Sequence, residues 1–395
     1  MSVPENNTKK PTGRLNILLF IILVIVIIGT SSVAYFNANG IDIKNVTLKE
    51  LIENKFYLRD NREEQSILLE IQYEIDENIE FAAHGNFIVK CTGQKVEFLN
   101  KRGEVKRTFH ASFKKPLIKS AGDYLLIADV KGDSIYLFKG SEKRWEKTLS
   151  NNIINADINS MGHVTVVHEG DRSRTSATTF NNEGISYYID NSGDEFIISA
   201  KVSPFCKSVL SNYVITSGIS ATSFFKLFDI GNSGEVSSTI LDNEIFPFAY
   251  YINDDRILAV GESKIVVLGI DLEEKWSIPV STEVYSVGTD EERYVAAAIK
   301  SQSGGFFSNN TDVVVYNNSG KKIGDYHIKD KVVSLTVFND LIVANTGRQV
   351  YLITSNGRLV ANYGFMSDII KVEFFNRREL MVVTKDSLFI LNTSN

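Results

Sequence analysis

Cysteine, proline, histidine and tryptophan are all scarce in this chain of 395 residues, which has two Cys, six Pro, five His and two Trp. Two cysteines cannot staple a chain of this size, so a disulfide scaffold is excluded. Cys91 and Cys206 read as unpaired, mostly buried thiols. Six prolines exclude collagen-like and proline-rich architectures. Five histidines supply little metal or general-base chemistry, and no H-E-x-x-H, G-x-S-x-G, P-loop or G-x-G-x-x-G motif occurs. A calcium loop of alternating acids is missing as well. No metal site and no cofactor is therefore expected. Aromatics, by contrast, are plentiful: 24 Phe and 16 Tyr, with 43% hydrophobic and 23% charged residues, rule out a disordered chain.

Basic residues are in deficit. The formal net charge is −6, and beyond residue 36 the chain has 39 basic and 47 acidic side chains, a balance of −8. No cluster of four or more Lys/Arg forms a patch; Lys101, Arg102, Lys106 and Arg107 straddle a turn. Nucleic acid is excluded as the expected partner, because an acidic surface repels phosphate backbones.

One long apolar run is present. Leu15 to Phe36 reads LNILLFIILVIVIIGTSSVAYF, and as a helix of about 33 Å it spans a hydrocarbon core of about 30 Å. Lys9, Lys10 and Arg14 precede it against the single acid Glu5. The positive-inside rule then places residues 1–14 in the cytoplasm, 15–36 in the membrane and the rest outside. The competing reading is a cleaved signal peptide ending at Ser32-Val33-Ala34, but Tyr35 and Phe36 extend the span as an interfacial anchor would. Residues 37–64 form a spacer, in which Thr47-Leu48-Lys49-Glu50 fits a capping box for a short helix over 48–56.

From residue 65 to 395 the chain is an array of short strands. An apolar strand recurs after Asn86, Asp123, Gly162, Asn212, Asp255, Arg293, Asp340 and Glu379, at spacings of 37, 39, 50, 43, 38, 47 and 39. A partner strand follows each, such as KVEFLN at 95–100 and QVYLIT at 349–354, ending in a turn rich in Asn and Gly. Periods near 40 with about four strands each predict an all-β fold, a β-propeller. The last repeat stops one strand short, while a spare strand, SILLEIQYEI at 66–75, precedes the first. Pairing the two closes the ring and hides its edges. The count is eight blades, with seven as the alternative if a divergent middle repeat is miscounted.

The segment IVVLGIDLEEKWSIPV at 265–280 resembles the repeat of PQQ-like, quinoprotein-type propellers, in a WD40-like array, with Trp276 after the turn; Trp145 takes the same place in YLFKGSEKRWEKTL. Over most of its length the chain is similar to a family of uncharacterised single-pass propeller proteins of clostridial-type Gram-positive bacteria. The residues that carry this resemblance are the N-terminal anchor, AGDYLLIADVKGDSIYLF at 121–138 and INADINSMGHVTVV at 154–167. It implies a cell-envelope location and no activity or catalytic residue. A PQQ enzyme needs tryptophans stacked at the axis, whereas both Trp here sit in outer-strand positions.

Candidate chemistry is correspondingly sparse. His163 and His168 are expected on opposite faces of a strand, and His84, His110 and His327 read as partly buried structural residues in separate repeats. The pairs Asp254-Asp255 and Glu291-Glu292 read as solvated hairpin turns. Binding is expected on the face that carries the loops from second to third strand and from fourth strand to the next blade, called here the top. Two of its loops are long, HEGDRSRTS at 168–176 and SQSGGFFSNN at 301–310, and long loops on a rigid scaffold are where binding concentrates. They supply Arg172 and Arg174 for an anion, and Phe306 and Phe307 for a partner or a sugar ring; Arg348 sits in a short loop of the same face. The leading expectation is a non-enzymatic, membrane-tethered, extracytoplasmic binding or scaffold module for an envelope protein or polymer. The alternatives are an envelope enzyme acting on glycans through paired axial carboxylates, and a sensor or assembly factor signalling through its tail.

Overall fold

The computed structural model describes Leu23 and residues 66–75, 79–217, 220–231, 234–241, 244–290, 293–303 and 309–393. The expected anchor apart from Leu23, the spacer with its helix, Glu291-Glu292 and the Phe306-Phe307 loop tip lie outside the described residues. Among the described residues no helix is long and apolar enough to cross a membrane.

Thirty-two strands form eight four-stranded antiparallel sheets. Blades 1 to 7 are continuous in sequence, at 80–110, 116–148, 153–191, 196–241, 248–279, 284–328 and 334–364. Blade 8 takes its three inner strands from 369–392 and its outermost from Ile67–Gln72, which pairs antiparallel with Ser387–Asn392. The eight-blade count holds, and seven is excluded. Each blade carries a β-bulge near the bottom of its outer ladder, as at Phe98/Leu99, Leu137/Phe138 and Val267/Leu268. The latch repeats it at Ile67/Leu69. It therefore completes blade 8 with the geometry that the contiguous blades have.

The strand alternation explains the core. Each blade buries one face on the preceding blade and one on the next, so apolar residues collect in eight inter-blade wedges. Between blades 1 and 2, Val89, Val96 and Phe98 meet Leu125, Ile127 and Phe138, with Phe98 and Phe138 rings 5.4 Å apart. Blade 8 meets blade 1 through Met381, Val383 and Leu388 against Phe81, Ile88 and Leu99. The wedge between blades 3 and 4 is the polar exception. There Thr165, Thr179 and Ser211 are buried beside a small apolar set, Val167, Ala177, Ile197, Ala200 and Tyr213. The blade 4 strand consequently begins at Ser208, ahead of the first residue that reads as apolar strand, and runs to Ile215.

Both tryptophans sit in outer strands, Glu142–Thr148 and Glu274–Pro279, away from the axis. Each indole lies on the turn glycine of the following blade: Trp145 against Gly184 and Trp276 against Gly320. Trp276 Nε1 donates to Asn318 O at 2.9 Å in that turn. A Cβ on Gly320 would come 3.0 Å from the indole, on a backbone whose φ is +77°. Gly140, at φ +56°, would meet nothing within 4 Å. Gly320→Ala is therefore expected to cost about 2 kcal/mol, and Gly140→Ala about 1 kcal/mol from backbone strain alone. Urea unfolding followed by tryptophan fluorescence measures the difference.

Candidate functional site

The innermost strands line the axis, and their free edges have to be satisfied without a neighbouring strand. Side chains reaching across from adjacent blades do this. Ser286 Oγ accepts from Leu335 N, and Thr336 Oγ1 donates to Val372 O, both at 3.0 Å. Lys371 Nζ donates to Phe81 O, and Glu373 Oε2 accepts from Ala83 N, both at 2.8 Å. Asn155 Nδ2 donates to Ile198 O at 3.3 Å.

One register position repeats around the ring: Ala82, Lys119, Asp157, Lys201, Tyr250, Gly288, Thr336 and Glu373. Four consecutive members form a chain of contacts. Lys119 Nζ lies 3.0 Å from Asp157 Oδ1, Lys201 binds Asp157 Oδ2, and the Lys201 ammonium stands 5.0 Å from the Tyr250 ring centroid. Burial pushes the Asp157 carboxyl up, but the two ammonium groups outweigh it and hold it below the usual carboxylate range. Burial draws Lys201 below the usual ammonium value, against the pull of Asp157. Across the ring, Glu373 Oε1 is 2.8 Å from Lys371 Nζ. Burial raises Glu80 of the neighbouring blade, with Lys371 opposing and Glu373 adding to the shift. Asp157 and Glu373 are thus each held by lysine.

Apolar residues crowd the top end of the same strands. Four innermost strands carry a bulge at their start, between Ile153 and Asn155, Ile197 and Ser199, Val284 and Ser286, and Ile369 and Lys371. The inserted residues are Ile154, Ile198, Tyr285 and Ile370, all apolar or aromatic. Ile154 and Ile370 are exposed, as are Phe248 and Val333 at the starts of the other innermost strands. Ile75, Ile245 and Met366 add to this set from loops of the same face. Bulges re-aim side chains at the rims of closed sheets, and those at Ile154 and Ile370 leave an exposed apolar residue at the top end of an innermost strand. Exposed apolar residues in such number mark a candidate interaction surface, although bottom turns also expose Met161, Ile185 and Phe205.

Of the residues expected from sequence, the described ones, Arg172, Arg174 and Arg348, fall on this face but not together. Arg172 and Arg174 belong to blade 3 and Arg348 to blade 7, on opposite sides of the ring. The blade 3 loop is shorter than expected, since its strands run to Glu169 and resume at Thr175. Arg174 stacks 4.7 Å over the Phe196 ring, and Arg172 is exposed. Arg348 Nε bonds Asp368 Oδ1 at 2.8 Å, while Lys385 Nζ holds Oδ2 at 2.7 Å. These two cations draw the Asp368 carboxyl down to about 2, so Arg348 is already engaged. Sequence reasoning missed these residues because several stand directly beside a core residue, as Ile154 beside the buried Ile153 and Ile370 beside the buried Ile369, and nothing in the pair tells the two apart. A bulge leaves no trace in composition.

Of the smaller expectations, those for His110, His327 and Asp254 are corrected, and those for His84 and the two thiols hold. His110 and His327 are exposed, because they belong to outer strands facing solvent. His84 is buried, with Nδ1 2.9 Å from Ser120 Oγ. Asp254 is buried too, not solvated in its turn: it accepts from Phe205 N at 3.0 Å and lies 3.4 Å from Lys207 Nζ. Cys91 and Cys206 are free thiols, one buried and one half-buried. No group of three or more His, Cys, Asp or Glu residues suited to a metal occurs among the described residues.

Burial lowers the pKa of both His84 and His163. Unfolded imidazoles take up protons near pH 6.5, before the folded ones do. The unfolded state then binds more protons, and stability falls as pH drops through about 6.5. The melting temperature is expected to decline between about pH 7 and pH 5, and less steeply in His84→Gln. Thermal scans across that window check it.

Residues 59–392 match the model of a family of unknown function (DUF5711). No curated protein matches. Among solved structures, the chain is similar to BamB from Moraxella catarrhalis, at 12% identity and TM-score 0.55, covering 83% of this chain and 99% of that one. It is also similar to Sqt1 from Chaetomium thermophilum bound to the N-terminus of the ribosomal protein L10, at 10% identity and TM-score 0.60, with coverage of 83% and 99%. At such identities these likenesses show the fold alone.

Proposed function

We propose that this chain, which belongs to the DUF5711 family of unknown function, is a membrane-tethered, extracytoplasmic binding module. Its top face engages a protein partner of the cell envelope. The observation that carries the reading is the set of exposed apolar residues on that face, Ile154 and Ile370 at bulges together with Phe248 and Val333 at or beside the starts of two further innermost strands. A closed propeller suits such a role, because its rigid ring presents many loops on one face. Sqt1 in complex with the N-terminus of another protein illustrates a propeller of this shape holding a partner segment. The tether rests on the apolar run at 15–36 and the basic residues before it. Catalysis on glycans through paired axial carboxylates is not favoured, since Asp157 and Glu373 are each committed to lysine. Arg172, Arg174, Phe306, Phe307 and Arg348 remain candidates for the edge of the surface.

Membrane fractionation with external proteolysis tests the tether. The full chain is expected in the carbonate-resistant pellet, with the propeller cleaved or labelled from outside; release of the chain into the soluble fraction would contradict it. Pull-down from native membranes with Phe306→Ala and Phe307→Ala tests the loop, and an unchanged partner set removes both residues from the surface.

A further inference from the structure

The charges of the top face are divided by sector. Among the described residues between 192 and 310, its loops in blades 4 to 6 carry Asp194, Glu195, Glu244, Glu262 and Glu283 and no lysine or arginine, with Glu283 3.9 Å from Lys331 Nζ in the loop that leads into blade 7. Among the described residues the remaining top loops carry both signs, nine lysines and arginines such as Lys114, Lys131 and Arg172 beside six acids such as Asp133, Asp171 and Asp368. The acidic sector also contains Phe248, 54% exposed, and Ile245, 38% exposed, so apolar surface and negative charge coincide there. Glu244 is held in place by Ser263, whose N and Oγ donate to its two oxygens at 2.6 and 2.8 Å.

We infer that this sector receives a segment of the partner protein that is both cationic and apolar. The inference rests on the top-face reading above and adds the chemical class of the partner. An apolar side chain of that segment packs on Phe248 and Ile245, and its lysines or arginines face the five carboxylates. Unlike charges steer the encounter and exclude acidic competitors. An anionic lipid surface is disfavoured by the same carboxylates.

Fluorescence anisotropy on the intact chain tests this with three synthetic peptides: alternating leucine and lysine, alternating leucine and glutamate, and alternating serine and lysine. The leucine–lysine peptide is expected to bind about tenfold more tightly than either counterpart. Asp194→Lys with Glu262→Lys and Glu283→Lys should weaken it about tenfold. Glu183→Lys with Asp255→Lys and Glu273→Lys makes the same change in net charge on bottom-face turns, and should alter it less than about twofold. Equal weakening by both triples, or equal binding of the serine–lysine peptide, would overturn the inference. Loss in Phe248→Ser with Ile370→Ser but not in the top triple would overturn the cationic class and leave the top-face reading standing. No loss in either would overturn both. Flotation with phosphatidylglycerol vesicles that depends on Phe248 would assign the surface to a membrane instead.

Discussion

Removing the chain up to Gln72 is expected to open the propeller. The lost strand Ile67–Gln72 is the outermost of blade 8, and without it Ser387–Asn392 becomes a bare edge at the closure of the ring. Leu69 and Ile71 also withdraw from the wedge formed by Phe81, Ile88, Leu99, Met381 and Leu388. Tyr73, which donates its hydroxyl to Thr384 O, is left without the strand that leads into it. Two half-buried aliphatic side chains contribute about 2–3 kcal/mol, and the lost ladder bonds a further few kcal/mol at about 1 kcal/mol each. The sum, on the order of 5 kcal/mol, corresponds to a fall of about 10 °C or more in melting temperature. Calorimetry on the truncated chain measures it, and size-exclusion chromatography should show edge-to-edge association. Leu69→Asp with Ile71→Asp in the full-length chain should reproduce most of the loss, which separates the latch from everything before it.

Asp157→Asn should be the most damaging single substitution at the axis. It leaves Lys119 and Lys201, side chains 33% and 18% exposed, facing each other without the carboxylate they share. Breaking one partner out of a buried ion pair costs about 3–5 kcal/mol, because the charge left behind stays desolvated. Replacing the whole triad, as Lys119→Met, Asp157→Leu and Lys201→Met, should recover most of that stability, since well-packed apolar residues lack the desolvation cost. Urea unfolding of the single and triple variants checks both. A triple variant as unstable as Asp157→Asn would mean that the network is needed for more than mutual neutralisation.

The architecture was legible because propeller strands advertise themselves locally. Runs such as KVEFLN and SIYLFK are apolar, bounded by Asn/Gly turns, and recur near a 40-residue period, so blades 1, 2, 5, 6, 7 and 8 follow directly. The latch was legible for a different reason: a closed ring leaves no odd strand, and one was spare before the first repeat while the last repeat lacked one. Blades 3 and 4 were harder, because Thr165, Thr179, Ser211 and Asn212 are buried where the pattern calls for aliphatic residues. Hydrogen bonding across the wedge makes this tolerable, as when Thr165 Oγ1 of blade 3 donates to Ala200 O of blade 4, and no periodicity reports it. The site was legible only as a face. Loop length pointed to the top, but the apolar residues there come from strand starts, bulges and loops on seven separate segments, which the closed ring brings to one face.

The most direct measurement is photo-crosslinking in intact cells from one position at a time on the two faces. A photoreactive residue replacing Phe248 or Ile370 reports the top face; one replacing Ile185 or Phe205, 58% and 70% exposed on bottom turns, reports an equally apolar surface that the account leaves idle. Crosslinked species are predicted from 248 and 370 and not from 185 and 205. Crosslinks from the bottom positions alone, or equally from both faces, would contradict the assignment of binding to the top of the propeller.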